Sequence, residues 1–560
     1  MGLEYIDIDR ADNESGPHIH PSISLQSLVH TRHATTFTET GQHYGSTSSA
    51  SESEWTPGVR EWLVTTYIAI LVTMDSFNAT IIIPLVPNLS LVLAEPLENA
   101  LWLNTAYMLA NAASQALLGM LAEGLGHGPV LLGAVVLATV GTGVCGGSPS
   151  LPGLLVGRFI QGVGGGGITS ISLLIIADII PRSHQSLFAS YMLRAQVVGT
   201  VLGPVLGGLF VEYAAWIWVF YSSFVFCALG MLVVPFAVDL RGYGPAEGHG
   251  MWMSMSTRKL RRMDWIGGSL TFVSLGSLAV GISWAGTQFR WDEWQTLVPI
   301  CIGVALTMAL VLYEAIRKFN VLFSPAVFRS LTGAMLQVGG FSHGLMISTH
   351  LQFLPVYLLH IKSLSPAMTG LSLASLTALT LPCLFLFQKT PAFQTNPSIA
   401  VWSIRAGWII TILCTGCFVV LDKDTPTVAW VFIFLAGGVG HAVLLPGYAS
   451  AIRNVTPKYY YPDREGWRRG GRKIDSVSSL TAYYLLRTWG MCLAIPVGGC
   501  VFLNQVAQSL DRQMLDGSTR DVPMGGIGAA DKHVYVDGLR SLWKVFTGIS
   551  GLGVLSSVFL

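Results

Sequence analysis

Charge is what this chain most conspicuously lacks. Asp, Glu, Lys and Arg make up 11% of its 560 residues, against about 25% in an ordinary soluble domain. That is too little polar material to cover the several soluble domains a chain of this length would normally form. An excess of either sign is also missing. The formal net charge is +1, so there is no basic face for nucleic acid. No P-loop is present, and no nucleophile and base fall together, so neither an enzyme nor a cofactor or metal site is expected. The eight cysteines, Cys145, Cys227, Cys301, Cys383, Cys414, Cys417, Cys492 and Cys500, sit in or beside apolar stretches. They therefore offer no exposed disulfide framework. No secretory signal peptide opens the sequence, and residues 1–55, polar and rich in Ser, Thr and His, read as a disordered tail.

What is abundant is apolar: 51% of residues are hydrophobic and the mean hydropathy is +0.56. A lipid bilayer is expected to cover such a surface, and a helix crossing it needs about 20 mostly apolar residues. Fourteen segments qualify, at 61–86, 100–123, 129–147, 151–177, 187–211, 216–238, 265–286, 295–317, 332–359, 366–388, 399–421, 427–449, 477–503 and 541–560. The even number puts both termini on one side. Basic residues choose the side. Arg241, Arg258, Lys259, Arg261 and Arg262, then Arg317, Lys318 and Arg329, then Arg453, Lys458, Arg464, Arg468, Arg469, Arg472 and Lys473 fall on the side of the termini. Arg290, Lys362 and Lys423, with Arg512, Arg520, Lys532 and Arg540, fall on the other. Both termini are thus expected in the cytoplasm, with Trp284, Trp291 and Trp294 at the outer interface.

Several residues within these spans invite chemistry. Arg158, in Gly157-Arg158-Phe159-Ile160-Gln161-Gly162, is costly inside a bilayer. It should face the bundle interior with a partner, unless it snorkels to the interface. Asp75, one turn before Asn78, is a functional hypothesis for the same reason. His343, His350 and His441 are weaker candidates, being more often packed than proton carriers. Gly199, Gly203 and Gly207 share a helical face that permits close backbone approach, and Pro204 and Gly208 add a kink. Gly162, Gly164 and Gly167 fit G-x-G-x-x-G, and Cys414 and Cys417 fit C-x-x-C, but both lie inside predicted membrane helices and read as packing residues. Residues 191–208 and 484–499 echo one another, each with Tyr, Arg (Arg194, Arg487), Pro and paired glycines, as in a transporter with duplicated halves. Asn88-Leu89-Ser90 is a sequon close to the outer membrane face, where glycosylation is possible but not expected.

Together these residues resemble the major facilitator superfamily, and within it the fourteen-helix drug:proton antiporters common in fungi. The similarity rests on Gly157 to Gly167, on Gly199 to Gly208, on Ala79-Thr80 with Pro87, on Phe353 to Tyr357 with Ser365-Pro366 and Gly370, and on Leu486-Arg487 with Gly490. It covers roughly residues 60–505. There are departures. After the second helix Glu123 is kept, but the usual basic residues are absent, and Asn78 stands where the family has an acid, with Asp75 one turn earlier.

The resemblance implies an all-α polytopic membrane protein of the major facilitator fold: two six-helix bundles plus two extra linking helices. It divides the chain into a cytoplasmic tail (1–59), a first bundle (60–240), a loop with the two extra helices (241–331) and a second bundle (332–560) that carries the basic cytoplasmic loop 450–476. It implies a monomer exporting a small hydrophobic or amphipathic substrate by alternating access against protons, in the plasma membrane or else a vacuolar or vesicular one. Asp75, Glu123 and Arg158 are the expected coupling charges. Gly199, Gly203, Pro204, Gly207 and Gly208 form the expected moving contact. Asn78, Gln161, Gln352, Tyr357 and Arg487 are the candidate cavity-lining residues. The alternatives are uptake of a nutrient or iron chelate, and a transporter-like sensor.

Overall fold

The computed structural model describes residues 55–181, 184–237, 264–316, 328, 330–390, 393, 396–455, 476–515 and 532–560. The tail, most of the basic loop residues and the Glu123 side chain lie outside the described residues. Pro57–Leu560 forms one unit, and its described residues are helical apart from turns and an isolated bridge between Ala285 and Phe289.

The first bundle holds α1 (Val59–Thr80), α2 (Val86–Val92), α3 (Leu97–Leu125), α4 (His127–Gly147), α5 (Leu151–Ile179), α6 (Gln185–Tyr213), α7 (Trp218–Tyr221) and α8 (Ser223–Ala237). Then come α9 (Trp265–Trp284) and α10 (Trp294–Ile316). The remainder comprises α11 (Leu331–Val356), α12 (Pro366–Ala378), α13 (Thr380–Lys389), α14 (Pro397–Phe418), α15 (Thr427–Val455), α16 (Ser476–Leu515) and α17 (Lys532–Val558).

Local chemistry sets several boundaries. Pro84 and Pro87 cannot donate to a continuing helix, so α1 gives way to a 3₁₀ turn at Ile83–Leu85 before α2. Gly126, at φ +101°, makes the sharp exit from α3 into α4, a conformation costly for any residue with a Cβ. Asp264, Ser330 and Asn396 accept backbone N–H groups at the starts of α9, α11 and α14, as N-caps do.

Each expected span falls on helical chain, and eleven of the described helices are long and apolar enough to cross a membrane. The others are α3 and α17, which carry more polar residues, and the short apolar helix Trp218–Leu232. Two limits move. The helix α16 runs on to Leu515 and α17 starts at Lys532. Residues such as Asn504, Gln505 and Asp511 extend a helix without extending an apolar run, so hydropathy alone stops short of them.

In the first bundle α1 packs on α5, α6 and α8, while α5 packs on α3 and α4. In the second, α11 packs on α15, α16 and α17. The two groups meet along two seams, α3 against α16 and α6 against α12 and α13. The helix α9 lies along the first seam, touching both α3 and α16. Its end is tied to α16 where Asn504 Nδ2 donates to the Ala285 carbonyl at 2.8 Å. By contrast α10 leaves Ile302, Met308, Val311 and Leu312 exposed, an apolar surface suited to lipid.

Candidate functional site

The glycine run of α5 builds the centre of the first bundle. A Cβ at Gly162 or Gly166 would meet the Tyr107 or Asn111 carbonyl of α3, one at Gly164 the backbone of α4, and one at Gly165 the Asp75 carboxylate itself. Without side chains, α5 draws α1, α3 and α4 around one point. Dinucleotide binding would need a strand before this run, and a helix occupies it.

Asp75 is 7% exposed and its carboxylate accepts hydrogen bonds from Tyr107 Oη at 2.6 Å, Asn111 Nδ2 at 2.9 Å and Thr169 Oγ1 at 2.7 Å. Arg158 is 1% exposed, too deep for snorkelling. Its guanidinium donates to the carbonyls of Leu103 and Asn78 at 3.1 and 2.8 Å, to Gln161 Oε1 at 2.7 Å and to Asn104 Oδ1 at 3.2 Å. It also lies 4.2 Å above the Tyr107 ring. The partner expected for Arg158 is thus a set of neutral acceptors and an aromatic face. Tyr107 joins the two charged groups, its hydroxyl on Asp75 and its ring under Arg158.

Two strings of hydrogen bonds leave this centre and cross the α3 seam. Asn104 Nδ2 donates to Gln352 Oε1 of α11 at 3.1 Å. Gln115 Nε2 donates both to Asn111 Oδ1 at 2.8 Å and to Thr488 Oγ1 of α16 at 3.0 Å. Asn104, Tyr107, Asn111 and Gln115 stand three to four residues apart and so share one face of α3. Sequence reasoning passed over this stripe; its signal was uncharged polar residues at helical spacing.

The second bundle has its own polar centre. His350 Nδ1 lies 2.9 Å from His441 Nε2, and His350 Nε2 lies 3.1 Å from Thr415 Oγ1. The His343 ring stacks on His441 with centroids 5.4 Å apart.

A model of the Major Facilitator Superfamily matches residues 68–462. This chain belongs to that superfamily. Among curated relatives, it is 28% identical to "MFS transporter L2" of a Phoma species, over 92% of this chain and 85% of that one. It is 25% identical to "MFS efflux transporter aclA" of Aspergillus oryzae, over 90% and 89%, and 26% identical to "Efflux pump FUS6" of Gibberella fujikuroi, over 90% and 89%. Among solved structures, a bacterial homologue of the human lysosomal transporter Spinster, inward-facing and unoccupied, aligns with a TM-score of 0.54 at 14% identity, covering 90% of this chain and 98% of that one. The protein is therefore an integral, multi-pass membrane transporter and not an enzyme.

As a facilitator, the chain sorts its expected residues unevenly. Asp75, Asn78, Arg158, Gln161 and Gln352 come together; Asn78 Oδ1 accepts from Ser223 Oγ at 2.5 Å, and Gln161 Nε2 donates to Thr142 Oγ1 at 2.9 Å. Tyr357 stands apart, its hydroxyl donating to the Asp422 carbonyl at 3.2 Å beside the α14–α15 turn. The glycine motif of α6 divides in two. A Cβ at Gly199, Gly203 or Gly207 would strike α1, inside the first bundle, whereas one at Gly208 would strike the Pro366 carbonyl of α12. A Cβ at Gly370 would in turn meet the Pro204 carbonyl. Only Pro204 and Gly208 face the opposite bundle. Near the absent basic cluster, His127 Nδ1 lies 3.2 Å from Asp178 Oδ2. The Asn88 sequon is wound into α2 with Ser90 buried and bonded to the Pro87 carbonyl, a poor shape for a glycosylation acceptor. Both thiols of the C-x-x-C are free.

Proposed function

We propose that this facilitator exports small hydrophobic or amphipathic molecules by alternating access, and that Asp75 takes up and releases the proton that drives it. The observation that carries this reading is the wiring of Asp75: a buried carboxylate with three neutral donors, joined through Asn111, Gln115 and Thr488 to the opposite bundle. The efflux role of similar fungal proteins supports the direction.

Three donors suit an ionised carboxylate. A protonated one must donate in its turn, and the hydroxyl of Tyr107 or Thr169 has to rotate to accept. Rotation of the Tyr107 hydroxyl alters the bond at one edge of the ring that carries Arg158. Arg158 holds Asn104, and Asn104 holds Gln352 across the seam. Proton exchange at Asp75 therefore acts on both seam contacts of α3, and alternating access must break and remake them. Both termini lie in the cytoplasm, the plasma membrane is the site of action and the monomer is the working unit.

Asp75→Asn keeps shape and can still accept from Tyr107 and Asn111. In inverted vesicles it should abolish accumulation driven by an imposed proton gradient while leaving substrate exchange in place. A gradient response equal to the parent's would remove Asp75 from the coupling step, and Glu123 would be the next acid to test.

A further inference from the structure

The second bundle contains a cation that none of its described residues neutralises. Arg487 of α16 is 9% exposed; among the described residues its Nε is buried with no hydrogen-bond acceptor, and no carboxylate lies within ion-pair distance. Arginine keeps its charge in any protein environment, and a buried charge left without a partner is expensive.

The groups around it are also short of partners. Both ring nitrogens of His343, the second ring nitrogen of His441 and the Tyr483 hydroxyl are buried with no partner among the described residues. His343 stacks on His441 with ring centroids 5.4 Å apart, and Tyr483 stands four residues before Arg487, on the same face of α16. Glycines bring the two helices into close contact beside this cluster. A Cβ at Gly340 would meet the Tyr483 ring and one at Gly344 the Arg487 carbonyl, so α11 presents bare backbone to α16 there. Thr488, next to Arg487, is the residue Gln115 grips from the opposite bundle. The unsatisfied cluster thus adjoins the seam that opens in transport.

We propose that Arg487, with His343 and Tyr483, receives an acidic group of the transported molecule, so that the substrate is an organic anion, a carboxylate or acidic enol on an apolar body. This inference rests on the export reading and narrows it. A planar guanidinium binds a carboxylate through two parallel N–H bonds, and the Tyr483 hydroxyl and a His343 N–H can add a third and a fourth. Met346 and Ile347, one turn along α11 from His343, are buried and apolar and would hold the rest of the molecule.

The test uses purified full-length protein and needs no proton gradient. Benzoate, 2-naphthoate and 4-phenylbutyrate are titrated beside their methyl esters, and affinity is read from the rise in thermal stability. The acids should bind about tenfold or more tighter than their esters, the scale of a charge-assisted contact. Arg487→Gln should bring the ratio close to one, and Arg487→Lys should restore part of it. His343→Phe keeps the ring stack without the donors; it should lower the ratio even if Arg487→Gln fails to fold. Equal binding of acids and esters, no binding of the acids, or an acid preference that survives both Arg487→Gln and His343→Phe would overturn the proposal. Proton-driven movement of the neutral esters, measured separately in vesicles, would leave the export reading standing if the anion site fails; its absence for acids and esters alike would count against export itself.

Discussion

The two bundles solve the same physical problem in opposite ways. Each holds a buried arginine, Arg158 on α5 and Arg487 on α16. The first is saturated, with four hydrogen bonds and an aromatic face. The second has none of these among the described residues. A group that the fold satisfies fully can serve as a fixed relay. One that it leaves wanting is free to recognise something that comes and goes. Under the proposed function, the first bundle would couple and the second would recognise.

The sharpest way to break the comparison is to remove each cation. Arg158→Gln would strand the acceptors around Asn78, Leu103 and Asn104, and should cost roughly 3–5 kcal/mol, the range for breaking a buried charged network. It should read as a large fall in melting temperature of the purified protein. A smaller loss is expected from Tyr107→Phe, which keeps the ring under Arg158 but deletes the donor to Asp75. About 1.5–3 kcal/mol is appropriate for a buried bond to a charged group, and gradient-driven transport should fall with it. If Tyr107→Phe leaves transport unchanged, the hydroxyl is not part of the relay. Arg487→Gln should behave in the opposite sense to Arg158→Gln. Relieved of an uncompensated charge, the protein should melt at an equal or higher temperature, by about 1 kcal/mol or less. A marked fall would mean that Arg487 is as well satisfied as Arg158, and the contrast would collapse.

The smallest effect lies outside both centres. In the turn between α14 and α15, the Asp422 carboxylate accepts from the Thr425 hydroxyl at 2.7 Å and from two backbone N–H groups. The Thr425 hydroxyl above all, then those N–H groups and the nearby Lys362, hold its pKa below the ordinary aspartate value, which is about 3.9. A depressed folded-state pKa contributes stability that is complete above the unfolded value and disappears as pH falls through the folded one. Thr425→Val should therefore reduce stability slightly at pH 6 and by less below about pH 3, where only the lost bond from the Asp422 N–H to the Thr425 hydroxyl (3.0 Å) still counts. Parallel melting curves at both values would reveal it.

Much of this arrangement was legible before any coordinates. Long apolar runs announce membrane helices because lipid leaves the backbone no other partner. The burial of Arg158 and Asp75 followed from the cost of charge in a bilayer. The glycine faces of α5 and α6 followed from spacing. Their assignment to particular neighbours did not: Gly203 and Gly208 look alike in sequence, yet one meets α1 and the other α12. The polar stripe on α3 escaped because a search for charge overlooks Asn104, Tyr107, Asn111 and Gln115. The histidines escaped as a group because nearly a hundred residues separate His343 from His441, and only helix packing brings them together. The sequence echo of Arg194 and Arg487 has a counterpart in packing, with α1 on α6 in one bundle and α11 on α16 in the other. Arg194 shares with Arg487 a buried Nε that lacks a hydrogen-bond partner, but it lies against the rings of Tyr191 and Phe385.

The length of α16 has a mechanical consequence. Its 40 residues measure about 60 Å along the axis, twice the roughly 30 Å of bilayer hydrocarbon, with Pro496 inside it as a point of bending. It is clasped near one end, where Gly344 and Gly490 bring the backbones of α11 and α16 together, and is splinted by α17 toward the other. Such a helix is a lever with a short arm at the anion cluster and a long arm toward Leu515. From Gly490 the long arm is about 37 Å, so a tilt of about 10° at the fulcrum sweeps its tip by roughly 6 Å. A spin label at Gln513 would magnify motions that are nearly invisible at Arg487, and a binder clamped on that tip would stall the transport cycle from a point far from the substrate.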